Sequence, residues 1–130
     1  MFDDIDDIRR TRKRINAEMF RSGVATFRAL EDLEGGALKS GALDGKSKEL
    51  IALGISVVEK CYPCVEYHLS AALRSGATRS EVVEAVAVAV ALGGGVAQWP
   101  ARFAFTVLEQ IEAGAAPSAE ADSRPAEPPQ

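Results

Sequence analysis

The chain has 130 residues, 47% of them hydrophobic, and a formal net charge of −4. That is enough for one domain with a modest core, and the acidic balance argues against a nucleic-acid or anionic-membrane surface. The longest apolar run, 85–92, is far shorter than the roughly 18 residues of a membrane span. The acidic start Met1-Phe2-Asp3-Asp4 lacks a secretory plan, so a cytoplasmic location is the expectation.

In chain order, Ile5, Ile8, Ile15 and Met19 recur at helical spacing, and Phe20, Val24, Phe27 and Leu30 continue the stripe. This predicts one long helix that Gly23 weakens without ending. Its basic run, Arg9-Arg10-Thr11-Arg12-Lys13-Arg14, follows Asp3-Asp4 and Asp6-Asp7 and reads as a solvated face with acids at the positive helix end. Gly35-Gly36 and Gly41 punctuate the way to a second helix from Asp44 or Ser47 to about Glu59, with Leu50, Leu53 and Val57 on its apolar face. A third helix is expected from Tyr62, where Pro63 suits the first turn, to a stop at Ser75-Gly76. Thr78 and Glu81 form a capping-box pattern ahead of the apolar stretch 82–92. Its β-branched alternation leaves a buried strand open as a reading, but the cap, the alanines and the length favour helix. A helix apolar nearly all round needs cover on all sides, and a neighbouring subunit is the natural source. Gly93-Gly94-Gly95 breaks the backbone before a last helix from Val96 to about Ala113, with Pro100 near its first turn. The expected architecture is therefore all-α: a compact helical domain of about five to six helices over residues 1–113. Residues 114–130 hold four of the six prolines and no large apolar residue, so a disordered Pro/Ala-rich tail is expected there.

The chemistry lies in Cys61-Tyr62-Pro63-Cys64-Val65-Glu66-Tyr67-His68, which holds both cysteines and the only histidine. On a helix Cys64 and His68 share one face, and both cysteines lie near a helix start, whose partial positive charge favours a thiolate. A neutral imidazole can take the thiol proton and then stabilise the thiolate as imidazolium. Cys64 is thus the candidate nucleophile and Cys61 the resolving thiol, although rotamer choice can reverse these roles. Glu49, an acid on a largely apolar helix face with Ala52, Leu53 and Ser56 at +3, +4 and +7, is the candidate to orient His68. Glu59 and Glu66 are rivals; Glu66 is expected on the far side of its helix, facing solvent. The competing readings are a zinc module using Cys61, Cys64, His68 and Glu49, and a non-catalytic oligomeric interaction protein. Covalent haem would need a histidine where Val65 stands. The glycine triplet is no phosphate loop, because it follows a helix and lacks a Lys-Ser/Thr pair. Tyr62, Tyr67, Trp99 and Phe103 read as core or subunit interface.

The stretches 48–54, 61–68, 71–81 and 93–95, with the spacing Glu49-x11-Cys61-x2-Cys64-x3-His68, resemble the carboxymuconolactone decarboxylase family, and within it look like the alkylhydroperoxidase D branch. The resemblance spans roughly Leu43 to Leu108. It implies an all-helical fold assembling into trimers or hexamers, and reduction of hydroperoxides or disulfides with no metal or organic cofactor. It implies Cys64 as the attacking thiol and Cys61 as the thiol that resolves it and exchanges with a reductant protein or small dithiol. Glu49 and His68 are implied as a proton relay. The pattern departs at Pro63, where some members carry another histidine. The lactone decarboxylases of the family lack the cysteine pair, so ring-opening decarboxylation is not expected.

Overall fold

The computed structural model describes residues 4–114, and these form six α-helices and one short 3-10 turn. The helices are α1 (Ile5–Arg21), α2 (Ala25–Leu38), α3 (Gly45–Val58), α4 (Tyr62–Arg74), α5 (Arg79–Gly93) and α6 (Gln98–Glu112). The fold is all-α, as the hydrophobic spacing predicts. No helix among the described residues is long and apolar enough to cross a membrane. Except for Gly114, the expected tail lies outside the described residues.

Side-chain caps mark the starts of α1, α3 and α5. Asp4 accepts from the Asp6 amide at the head of α1, and Asp44 accepts from the Ser47 amide at the head of α3. Thr78 and Glu81 close a reciprocal capping box, each side chain bonding the other's amide at 3.1 and 3.0 Å. Such caps satisfy amides that have no partner inside the helix. The stretch 82–92, whose alternation left a strand open, is helical as expected, and its helix begins at this cap.

Two expectations are corrected at the N-terminal end. Gly23 ends the first helix: its φ of +76° lies in the left-handed region, and Ser22 caps the last turn through its own backbone and side chain. Gly35 and Gly36, expected as punctuation, lie inside α2. A glycine breaks a helix only where the local contacts reward the left-handed geometry.

The core gathers the apolar faces of α1, α3, α4, α5 and α6, with Leu53, Leu69, Val82, Phe103 and Val107 fully buried. Phe103 is the largest of these, and its ring meets the edge of Tyr62 at 5.2 Å in the first turn of α4. The Ile5 amide donates to Gln110 Oε1 at 3.0 Å, tying the head of α1 to α6. On α5 only Val82, Val86 and Ala89 are buried, while Val88 and Leu92 face outward. They border an open apolar groove of about 480 Å³ between α3 and α5, also lined by Ile51, Ile55 and Val58.

Candidate functional site

α3 and α4 are joined by a turn that delivers Cys61 to the helix mouth. The Cys61 amide donates to Ser56 O at 3.0 Å and the Lys60 amide to Val57 O at 3.2 Å. This is the Schellman pattern of a helix C-terminus, with Lys60 at the position that usually takes glycine and with φ +59°. Cys61 then serves as the N-cap of α4, and Pro63 falls in the first turn, where an amide would have no partner. Cys61 and Cys64 are joined by a disulfide with Cα atoms 5.2 Å apart.

One turn beyond Cys64 on the same helix, His68 Nδ1 lies 2.8 Å from Glu49 Oε2. Glu49 comes from α3 and is 2% exposed; the His68 side chain is 19% exposed. α3 and α4 pack closely against each other and are joined by a short turn, so Glu49 in the first half of α3 meets His68 at the middle of α4. An ionised Glu49 can only accept, so Nδ1 donates and Nε2 keeps its lone pair. Burial holds the imidazole below its ordinary pKa; Glu34 from α2 pulls it up and Arg12 from α1 pushes it further down. A neutral imidazole with one free nitrogen is the form that can accept a proton.

Glu66 lies elsewhere than expected. It is fully buried, facing α1 rather than solvent. Arg9 Nε approaches its Oε2 at 3.2 Å, Arg12 Nη2 its Oε1 at 2.8 Å, and Ser70 Oγ donates to Oε2 at 2.6 Å. Arg12 Nη2 also donates to Pro63 O at 2.9 Å, and its guanidinium lies 5.0 Å from the centre of the Tyr67 ring. Tyr67 in turn meets His68 edge-on at 5.1 Å. The face of α4 opposite His68 is the face that packs on α1, and a buried carboxylate there must be paired. The run 9–14 is correspondingly not all solvated: the Arg9 and Arg12 side chains are 12% and 14% exposed. The signal available in the sequence was Glu66 with Ser70 at i+4, against two arginines three apart on an amphipathic helix. Glu59, the other rival, is exposed at the end of α3.

Of the four candidate residues, the structure joins Cys61 to Cys64 and His68 to Glu49. Among the described residues, no group of three or more His, Cys, Asp or Glu is placed to hold a metal ion.

The comparisons with known proteins agree with this architecture. The carboxymuconolactone decarboxylase family profile matches residues 25–108, and the chain belongs to that family. A Paracoccus denitrificans relative, "Uncharacterized protein 4 in cox locus", is 36% identical over 95 residues, covering 73% of this chain and 86% of its own length. A Cupriavidus necator relative, "Uncharacterized protein H16_B0147", is 32% identical over 110 residues, covering 82% and 97%. Among solved structures, a family member from Legionella pneumophila superposes with a TM-score of 0.77 at 30% identity, covering 82% of this chain and 95% of its own. A Thermotoga maritima family member, for which a role in the antioxidative response has been suggested, superposes with a TM-score of 0.76 at 30% identity, covering 82% and 91%.

Proposed function

We propose that the protein is a thiol-dependent oxidoreductase of the alkylhydroperoxidase D-like branch, reducing hydroperoxides or disulfides with Cys61 and Cys64. The observation that carries this reading is the disulfide at the mouth of α4 with a carboxylate-oriented imidazole one turn above it. The suggested antioxidative role of the Thermotoga relative supports it.

In the reduced state His68 Nε2 takes the proton of Cys64. The thiolate attacks the terminal oxygen of a hydroperoxide, the O–O bond breaks, and an alcohol leaves with the proton held by the imidazole. Cys64 is then a sulfenic acid. The Cys61 thiol attacks its sulfur, water leaves, and the disulfide of the structure forms. An external dithiol returns two electrons by exchange at Cys61. With a disulfide substrate, the same thiolate attacks sulfur and the mixed disulfide is resolved in the same way. Glu49 fixes the imidazole tautomer and offsets the charge His68 gains. The outward apolar residues of α3 and α5 support assembly into a homo-oligomer, a trimer or hexamer, that covers them.

Peroxide consumption driven by dithiothreitol tests the activity. Cys64→Ser abolishes turnover, and Cys61→Ser leaves a sulfenic acid that dimedone traps. Wild-type rates in both variants would contradict the mechanism. One zinc per chain in the purified protein would favour the metal-binding alternative instead.

A further inference from the structure

The amides at the head of α4 are the polar groups that the steps above leave unassigned. The first amides of a helix have no partner inside it, and the side chain at the N-cap accepts from the second or third of them. In α4 the N-cap is Cys61, with the extended backbone (φ −92°, ψ 91°) that this position takes, and its side chain caps no amide while the disulfide holds it. Cys61 is fixed there from both sides: its amide donates to Ser56 O at 3.0 Å, and its carbonyl accepts from the Val65 amide at 2.9 Å. The second residue of α4 is Pro63, which has no N–H to give. The third is Cys64, whose amide has no hydrogen-bond partner among the described residues. Of the two donors within capping reach of the Cys61 sulfur, one is missing and the other is vacant.

We propose that in the reduced protein the Cys61 sulfur caps α4 as a thiolate, accepting from the Cys64 amide, and that Pro63 tunes the pair by withholding the second donor. The inference rests on the redox reading of the pair and deepens it by naming what ionises the resolving thiol and what limits that effect. A hydrogen bond to the charged form favours that form, so the cap lowers the Cys61 pKa. In the disulfide the sulfur carries no charge and gains little from an amide. Capping therefore favours the dithiol state, and the proline restrains that preference. The two sulfurs are ionised by different means: Cys64 gives its proton to His68, whereas Cys61 ionises against backbone amides once Cys64 is a neutral sulfenic acid that no longer repels it. The charged groups around this turn are Arg12 on α1, which donates to Pro63 O, Glu34 on α2, Glu49, Glu59 and Lys60 of α3 and its end, and Glu66 and His68 on α4. α6 meets the turn through Phe103, and α5 meets the last turn of α3 through Gly93, both uncharged. Replacing Pro63 alters none of these charges.

The full-length protein serves for the test, and Pro63→Ala is the informative change, because it restores an N–H at the second position. One readout is the pH profile of iodoacetamide alkylation in the Cys64→Ser background, where Cys61 reports alone and the third amide is kept. The other is the equilibrium of the intact pair with glutathione, in which the Cys61–Cys64 bond breaks, two glutathione thiols join as a disulfide, and two electrons and two protons pass to the pair. Lone Cys61 titrates below the ordinary cysteine value of about 8.5. Pro63→Ala lowers that midpoint by about half a pH unit or more. Above both midpoints it shifts the glutathione equilibrium about threefold or more toward the dithiol, a tenfold shift being about 30 mV. Pro63→Gly, which supplies the same amide with a different side chain, moves both readouts the same way. In the Cys61→Ser background the midpoint of Cys64 stays in place. A merely structural role of the proline would lower the thermal stability of oxidised and reduced protein alike and leave the Cys61 midpoint unmoved. An unmoved or raised midpoint in Pro63→Ala, opposite signs in Pro63→Ala and Pro63→Gly, or an equal shift at lone Cys64 overturns the proposal. If neither Pro63 variant folds, the Cys64→Ser protein decides, since a Cys61 midpoint at or above that of free cysteine overturns it. The underlying redox reading fails separately, if the wild-type disulfide does not equilibrate with glutathione, and the titration of lone Cys61 is unaffected by that failure.

Discussion

Replacing Glu49 by glutamine probes the relay with the least disturbance of packing. Glutamine matches glutamate in volume, so a position only 2% exposed is left without a cavity. Two things change. The 2.8 Å bond to His68 Nδ1 loses its charge; a charge-assisted bond contributes about 1.5–3 kcal/mol and a neutral one about 0.5–1.5. The amide also offers a donor, so Nδ1 no longer has to carry the proton and Nε2 no longer has to be free. A loss of about 1–2.5 kcal/mol of transition-state stabilisation corresponds to roughly a 5- to 70-fold slower reaction, at 1.36 kcal/mol per decade. Stopped-flow peroxide consumption by the reduced protein measures this, with thermal unfolding as the check on folding. His68→Asn is expected to cost at least as much, and the double variant little more than His68→Asn alone, since the two residues act as a unit. A rate within twofold of wild type for a folded Glu49→Gln protein, or additive losses in the double variant, would refute the relay.

Burial lowers the His68 pKa, so the unfolded chain binds the proton more readily than the folded one. Stability from this group is complete above the ordinary histidine pKa of about 6.5 and is lost as pH falls through the lower folded value. Urea midpoints measured in acid should therefore drop in wild type more than in His68→Asn. Gly76 has φ +97°, so Gly76→Ala is expected to cost about 1 kcal/mol in chemical unfolding. Lys60→Gly, at φ +59°, should be neutral or stabilising by up to about 1 kcal/mol in the same assay. Thr78→Ala removes half of the capping box and is expected to cost about 1 kcal/mol. Leu92, 84% exposed at the end of α5, is the place to test assembly: Leu92→Glu should lower the mass measured by light scattering.

Helices α3, α4 and α5 were legible because their ends are written in local chemistry: Asp44, Pro63, Gly76 and the Thr78–Glu81 pair act on amides within a few residues. Gly23 and Gly35-Gly36 were misassigned for the opposite reason. Their effect depends on whether neighbouring backbone groups reward a positive φ, and glycine identity does not encode that. The pairing of Glu49 with His68 was anticipated from an acid on an apolar helix face. Glu66 was missed because helical geometry says which residues share a face but not which face meets the core. Only the docking of α1 turns the side opposite His68 into an interior, and that contact joins residues more than fifty positions apart.

The 5.2 Å between the α-carbons of Cys61 and Cys64 is close to the roughly 5 Å that three steps along any α-helix produce. Cleaving the sulfur–sulfur link therefore asks only for side-chain rotation, and the main chain can stay where it is. Oxidised and reduced molecules present nearly the same contour to whatever meets them. On the proposed redox reading, a reductant would have no shape difference by which to sort one from the other, and selection would rest on the exchange chemistry itself, at the moment a visiting thiol finds a bond to open.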